Sequence, residues 1–328
     1  MWIAAAIIAV ILLAGIVYLA CLEGNFRVRR SLEIAAPPDS VFAAIVDFKS
    51  WPQWSPWLMH EPETSIVYSE AYQQEGGYYE WDGKVVGAGK LSHVRIVPGR
   101  TIEQQIEFLR PFKSVNQVNW EFEARDGNTL LPWEMAGSMP FLFRFMTKSM
   151  EPMIGRDYEL GLALFNGYMN ADAPHPAISF IGREELEDFS YWAIPLHGNL
   201  RQLEAARNSS IGVLESAAAG KAGLPLCLHY KFDPMDTNYQ SEIAIPISDN
   251  TPKSNYTRRE FTGGLYFKML LRGDHRFLPL GWYALGSHCR MHRIKLDRAR
   301  PALEIYHDDP AEAADSNQVT TAMYMAIR

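Results

Sequence analysis

The sequence predicts an α+β protein: an apolar N-terminal helix, then a curved antiparallel sheet wrapped on a long helix, then a duplicated α+β unit. Three observations carry this. Residues 2–22 hold no charged side chain. Several strand-like runs with turn punctuation follow one another before a single amphipathic helix, as in an antiparallel meander closed by a helix. Past residue 182, four short segments, the first of them Arg183, Glu185 and Tyr191 against Arg258, Glu260 and Tyr266, recur in the same order at offsets of 75 to 80 positions.

The apolar run WIAAAIIAVILLAGIVYLACL would cover roughly 32 Å as a helix, enough for a bilayer's hydrocarbon core. No Lys or Arg precedes it, against a cleaved signal peptide, while Arg27, Arg29 and Arg30 follow it. The expectation is a transmembrane anchor over 1–25, contacting the membrane through residues 2–22. The positive-inside rule then places the chain in a bacterial inner membrane, with its globular part cytoplasmic. A lipoprotein site at Cys21 (YLAC) is the competing reading.

Residues 26–172 form the first expected domain. FRVRRSLEIAA alternates as a half-buried strand, and PPDSVFAAIVDF reads as a helix opened by prolines with an Asp39/Ser40 cap. Strand-like runs follow: SIVYSE, GYYEWDG, KLSHVRIVP, TIEQQIEFL, SVNQVNWEFEA and LLPWEMAGSM. A helical tail from Phe141 to Met169, interrupted near Pro152, puts Ile154, Tyr158, Leu162 and Phe165 on one face. ADAPHPA (171–177) reads as a linker to a second domain over 173–328.

In that second domain PLHGNLRQL echoes LLRGDHRFL, pairing Leu196 with Leu271, Gly198 with Gly273, Arg201 with Arg276 and Leu203 with Leu278. Tyr230-x-x-Asp233-Pro234 echoes Tyr306-x-x-Asp309-Pro310, and SEIAIPI echoes TAMYMAI. Two such units imply a pseudo-twofold pair with a cleft between them. The Tyr-x-x-Asp-Pro echo sets Glu304 against Leu228 and leaves a carboxylate inside the strand ALEIY. Such a group, if buried without a partner, costs several kcal/mol or takes up a proton. A ligand, an exposed edge, or a salt bridge to Arg258 or Arg300 would each account for it.

Composition narrows the partners. The 328 residues are 48% hydrophobic and 21% charged with net charge −7, an ordinary globular balance with no basic surface for nucleic acid. Cys21, Cys227 and Cys289 are spaced as neither a disulfide framework nor a CxxC metal site. The sequence has no Walker A, Rossmann, HExxH or GxSxG motif, so no cofactor and no metal are expected. His288 and His292 share a helix face, a conceivable metal pair without a third ligand, and a solvated basic face is the alternative. Asn208 and Asn255 match glycosylation sequons of a kind that chance often produces.

On SLEIAAPPDSVFAAIVDFKSWPQWSPW, GKVVGAGKL and MEPMIGRDYELGLALF, residues 26–172 resemble the START-like SRPBCC superfamily, polyketide cyclase and dehydrase type. The resemblance implies a helix-grip fold enclosing a hydrophobic cavity, with Trp51, Trp54, Trp57, Tyr79 and Trp81 as candidates for its wall or rim. On Gly198, Gly273, YKFDP followed by SEIAIPI, and ALEIYHDDP followed by TTAMYMAIR, residues 176–328 resemble the GyrI-like domain, also the effector-binding half of AraC-type and MerR-type regulators. That resemblance implies Glu304 at the floor of a ligand cleft, with Tyr306, Trp282 and Tyr283 beside it. Ala322 stands where the family often has an acidic residue. The expectation is a binding protein for a hydrophobic ligand, cationic ones included, that senses, sequesters or handles it. The alternatives are a hydrolase with Glu304 as general base, and lipid or hydrophobe transfer by the START-like domain.

Overall fold

The computed structural model describes residues 2–328 except 199, 221, 232–238, 249–250, 252–254 and 309–312. The chain divides into two compact units, 1–173 and 174–328. Both are α+β with one antiparallel sheet each, and the first sheet is followed by a long helix.

Unit one opens with helix α1 (Trp2–Cys21). The expected membrane anchor is corrected here: among the described residues no helix is long and apolar enough to cross a membrane. With the anchor goes the ground for a single-pass inner-membrane location, for a cytoplasmic globular part and for a membrane contact through residues 2–22.

Strand β1 (Asn25–Ile34) precedes helix α2 (Pro38–Val46). Pro37 holds the N-cap and Pro38 the first turn, where a missing N–H costs nothing, so Asp39 and Ser40 lie inside the helix rather than capping it. Then come β2 (Ser65–Tyr68), β3 (Tyr78–Asp82), β4 (Ala88–Val97) and β5 (Thr101–Arg110). They are followed by β6 (Ser114–Glu121), the short β7 (Glu123–Arg125) and β8 (Asn128–Ser138). The sheet runs β1-β8-β6-β5-β4-β3-β2, a meander in which β1 is brought round to pair with β8. Helix α3 (Thr147–Met169) runs through Pro152 without a break, since a proline near a helix start removes only one backbone hydrogen bond. It is tied to β1 where Arg30 Nε donates to Glu159 at 2.7 Å and Nη1 to Glu151 at 2.8 Å. Between α3 and the sheet lies an aromatic core: Trp120 stacks on Trp133 at 4.4 Å, and Trp133 on Tyr158 at 3.8 Å.

Unit two consists of two repeats. The first holds β9 (Ala177–Leu186), β10 (Phe189–Gly198), α4 (Leu200–Ala218), β11 (Leu226–Lys231) and β12 (Tyr239–Ile247). The second holds β13 (Arg259–Phe261), β14 (Gly264–Arg272), α5 (Leu278–Met291), β15 (Ala302–Tyr306) and β16 (Thr320–Ala326). The sheet order β13-β10-β12-β11-β15-β16-β14-β9 is a palindrome about the β11–β15 pair, so a pseudo-dyad passes there. Gly198, the last residue of β10, and Gly273, the first after β14, have nearly equal positive φ of 143° and 136°, a backbone region open to glycine. The first strand of each repeat is exchanged: β9 pairs with β14 of the second repeat, and β13 with β10 of the first. The Asp233-Pro234 and Asp309-Pro310 corners lie outside the described residues.

Register fixes which residues correspond. Leu196 pairs with Ser241 in the first repeat and Leu271 with Thr321 in the second. One strand further in, His229 pairs with Ser241 and Tyr306 with Thr321. The structural counterpart of Tyr306 is therefore His229, and that of Glu304 is Cys227, not Leu228. The sequence echo is displaced by one residue because β11 has a bulge between His229 and Lys231, with Tyr230 as the extra residue. Tyr230 points away from Tyr306 and donates to Glu242 Oε2 at 3.0 Å.

Candidate ligand-binding site

Side chains alternate along a strand, and residues directly opposite on neighbouring strands share a face. Cys227 lies opposite Glu304, so the pseudo-dyad brings Cys227 and His229 of β11 onto one face with Glu304 and Tyr306 of β15. Ser241 joins from β12 and Thr321 from β16. Helix α4 adds Arg207 and α5 adds Trp282, which stand at the same 75-residue spacing as the two glycine turns.

Glu304 is 5% exposed and sits at the centre. Trp282 Nε1 donates to its Oε1 at 2.5 Å, and Tyr306 Oη to its Oε2 at 2.6 Å. His229 Nε2 lies 3.4 Å from Oε1, and its Nδ1 lies 2.8 Å from Ser241 Oγ. The Arg207 guanidinium, itself buried, is 5.6 Å from the centre of the Tyr306 ring. Burial acts to raise the Glu304 carboxyl, but the His229 and Arg207 charges and the Tyr306 hydroxyl outweigh it and hold it at about 2. Burial likewise acts to lower His229, and Cys227 and Glu304 together reverse this and raise it. Tyr306 is pushed well up, by burial first and then by the Glu304 charge. Glu304 is thus a carboxylate already balanced by protein cations, with Trp282 and Tyr306 donating to it.

The three predicted residues Glu304, Tyr306 and Trp282 meet in this cluster. Tyr283 is buried beside Trp282, one residue on and about 100° round α5. Arg258 and Arg300, the salt bridges considered for Glu304, are engaged elsewhere: Arg258 with Glu260 at 3.2 Å, Arg300 with Asp297 at 3.1 Å. His229, Arg207, Cys227 and Ser241 escaped the sequence reading. The alternation Cys-x-His in CLHY was the available signal for two of them, and the helix spacing from Trp282 for Arg207. Cys227, His229 and Glu304 each bring a possible metal-donor atom within 4.8 Å of the others. His288 and His292 instead stack on each other at 4.1 Å, with Phe180 stacked on His288 at 3.8 Å. Burial and the neighbouring His292 push His288 down to about 4.

In unit one, Trp54 and Trp81 are 1% and 8% exposed and belong to the aromatic core with Trp51 and Tyr79. Trp54 packs edge-on against Phe165 of α3 at 4.9 Å. Trp57 is half-buried at the edge of that core and donates its Nε1 to Asp157 Oδ2 at 3.0 Å. A depression of about 360 Å³ lies elsewhere, across the sheet, lined by Gln105, Gln117, Asn119, Glu121, Glu134 and Arg27 among others.

Two family models match the chain. One, described as polyketide cyclase / dehydrase and lipid transport, covers residues 25–169. The other, the GyrI-like small molecule binding domain, covers 184–328. Among curated proteins none matches. Similar solved structures include protein CV1439 from Chromobacterium violaceum, 15% identical, which covers 44% of this chain and 96% of its own at a TM-score of 0.33. The EcmrR C-terminal domain is 12% identical and covers 47% of this chain and 98% of its own, with a TM-score of 0.38. Ara h 8.0201 is 15% identical over 45% of this chain and 99% of its own, with a TM-score of 0.35. The chain therefore joins two families, a polyketide cyclase/dehydrase and lipid transport (SRPBCC) domain followed by a GyrI-like small-molecule-binding domain.

Proposed function

We propose that the protein is a small-molecule-binding protein with two ligand modules, and that the pseudo-dyad cluster of unit two is the floor of its principal site. The observation that carries this is Glu304: a buried carboxylate, held by Trp282 and Tyr306, at the centre of a domain of a small-molecule-binding family. Ordinary cores avoid such groups unless they serve recognition or specificity. Arg207 and His229 already balance its charge, so an organic cation, which forms no bonds to the neighbouring thiol and imidazole, gains little there. The favoured ligand is a neutral or acidic apolar compound that replaces one of the protein donors on Glu304 and stacks on Trp282, with α4 or α5 giving way to admit it. In unit one, a hydrophobic molecule or lipid would lie among Trp54, Trp57 and Trp81. Sensing, sequestration or hydrophobe transfer all follow from reversible binding of this kind. Hydrolysis with Glu304 as base is disfavoured, because a carboxyl held at about 2 is a weak proton acceptor near neutral pH.

The test is thermal stability of the full chain against fatty acids, neutral hydrophobes and cationic amphiphiles, in wild type, Glu304→Gln and Trp282→Phe. A neutral or acidic compound that raises the midpoint in wild type and less in both variants supports the reading. Equal shifts in all three proteins place binding elsewhere, and no shift for any compound removes the case for this site.

A further inference from the structure

We infer that Cys227, His229 and Glu304 form a binding site for a zinc-type divalent metal ion on the pseudo-dyad. The inference does not depend on the organic ligand proposed above. A thiolate, an imidazole and a carboxylate are the three donor types that Zn2+ takes, and a sulfur donor excludes the hard cations Mg2+ and Ca2+. One donor atom from each of the three residues lies within 4.8 Å of the other two, and His229 Nε2 is 3.4 Å from Glu304 Oε1. Donors on a tetrahedral zinc lie roughly 3.3–3.6 Å apart, so a small swing of the imidazole and a rotamer change at Cys227 complete the set. The scaffold is stiff: two donors alternate on one strand, and the third stands directly across from the first.

The surrounding hydrogen bonds are those a metal site requires. Ser241 lies against His229 Nδ1, so that Nε2 is the nitrogen facing Glu304, while Trp282 and Tyr306 orient the Glu304 carboxylate. An oxygen with two lone pairs can serve a metal and an N–H together. The ion would lie between the His229 and Glu304 side chains, beside Cys227. Three protein ligands leave a fourth position for water or for a donor atom of a bound small molecule.

The experiment is titration of the full, chelator-stripped chain with Co2+, read by its d–d and thiolate-to-cobalt charge-transfer absorption, and then displacement by Zn2+. One equivalent is expected, displaced by Zn2+ and unaffected by excess Mg2+. Cys227→Ser should abolish the charge-transfer band, while Cys21→Ser should leave it. Ser241→Ala, a positioning change that keeps all three ligands, should weaken uptake about 10–100-fold. No band in wild type, or a band that persists in Cys227→Ser, overturns the inference. Organic-ligand binding is measured in excess chelator, so either reading can fail without the other.

Discussion

Glu304→Gln keeps the volume and most of the hydrogen bonding of the side chain but removes its charge, so it tests whether the buried cluster is balanced. Glu304 is held from 4.5 to about 2 in the folded protein. That shift corresponds to ~3 kcal/mol favouring the charged folded form. The amide would also leave Arg207 and His229 as buried cations without their counter-charge, and a broken buried pair costs about 3–5 kcal/mol. The expected loss is therefore ~3 kcal/mol from unit two, with the sign opposite to that for an uncompensated carboxylate, whose removal stabilises. Hydrogen exchange of the full chain by mass spectrometry, read on peptides from β15 and α5, isolates unit two from unit one. Protection there should fall about 100-fold, and unit-one peptides should be unchanged. The double variant with His229→Gln should lose less than the sum of the single changes, by roughly 0.5–3 kcal/mol. Protection equal to or above wild type in Glu304→Gln would refute the reasoning, because the cations would then contribute nothing.

In unit one, burial outweighs a hydrogen bond to the Val46 carbonyl and pushes His93 down to about 4 from 6.5. The unfolded chain binds the extra proton between these values, so unfolding free energy measured across pH 7 to 4 should fall as pH drops through that window, by up to ~3 kcal/mol from this group; a slope unchanged in His93→Gln would count against it. Gly155→Ala improves helix propensity by about 1 kcal/mol, yet the new Cβ would lie 2.1 Å from Arg30 Nη2, so urea unfolding should show a net loss as the Arg30–Glu159 pair is displaced. A gain would mean that Arg30 moves at no cost. Thr321 is fully buried and its hydroxyl has no hydrogen-bond partner among the described residues, so Thr321→Val should raise unit-two stability by ~1 kcal/mol in the absence of ligand. A loss would reveal a partner, such as a buried water, for that hydroxyl.

Much of the fold was legible because it rests on local pattern. The alternation in FRVRRSLEIAA, the prolines opening α2 and the paired glycines Gly198 and Gly273 each act over a few residues. Glu304, Tyr306 and Trp282 were legible through the family resemblance and the charged residue inside ALEIY. Their partners were not, because His229 and Arg207 reach Glu304 only through register and helix packing. The bulge at Tyr230 misled for a similar reason: one added residue leaves the sequence echo intact but turns the side chain to the other face. The strand exchange left no trace in the sequence, since the pairing partner of β9 lies some 80 residues further on.

The palindromic sheet also explains how such an uneven cluster can exist. Two identical chains about a true dyad would have to place the same residue at both members of every pair. Glu304 would then face a second glutamate at the position of Cys227, two like charges in a dry interior, and one of them would be forced to hold a proton. Joining the repeats in one chain releases that constraint. Acid can stand across from thiol, phenol can match imidazole, and indole can match guanidinium, while the backbone keeps its symmetry. The exchanged strands β9 and β13 hold the two halves in this arrangement, so each repeat is free to diverge in side chains but not in shape.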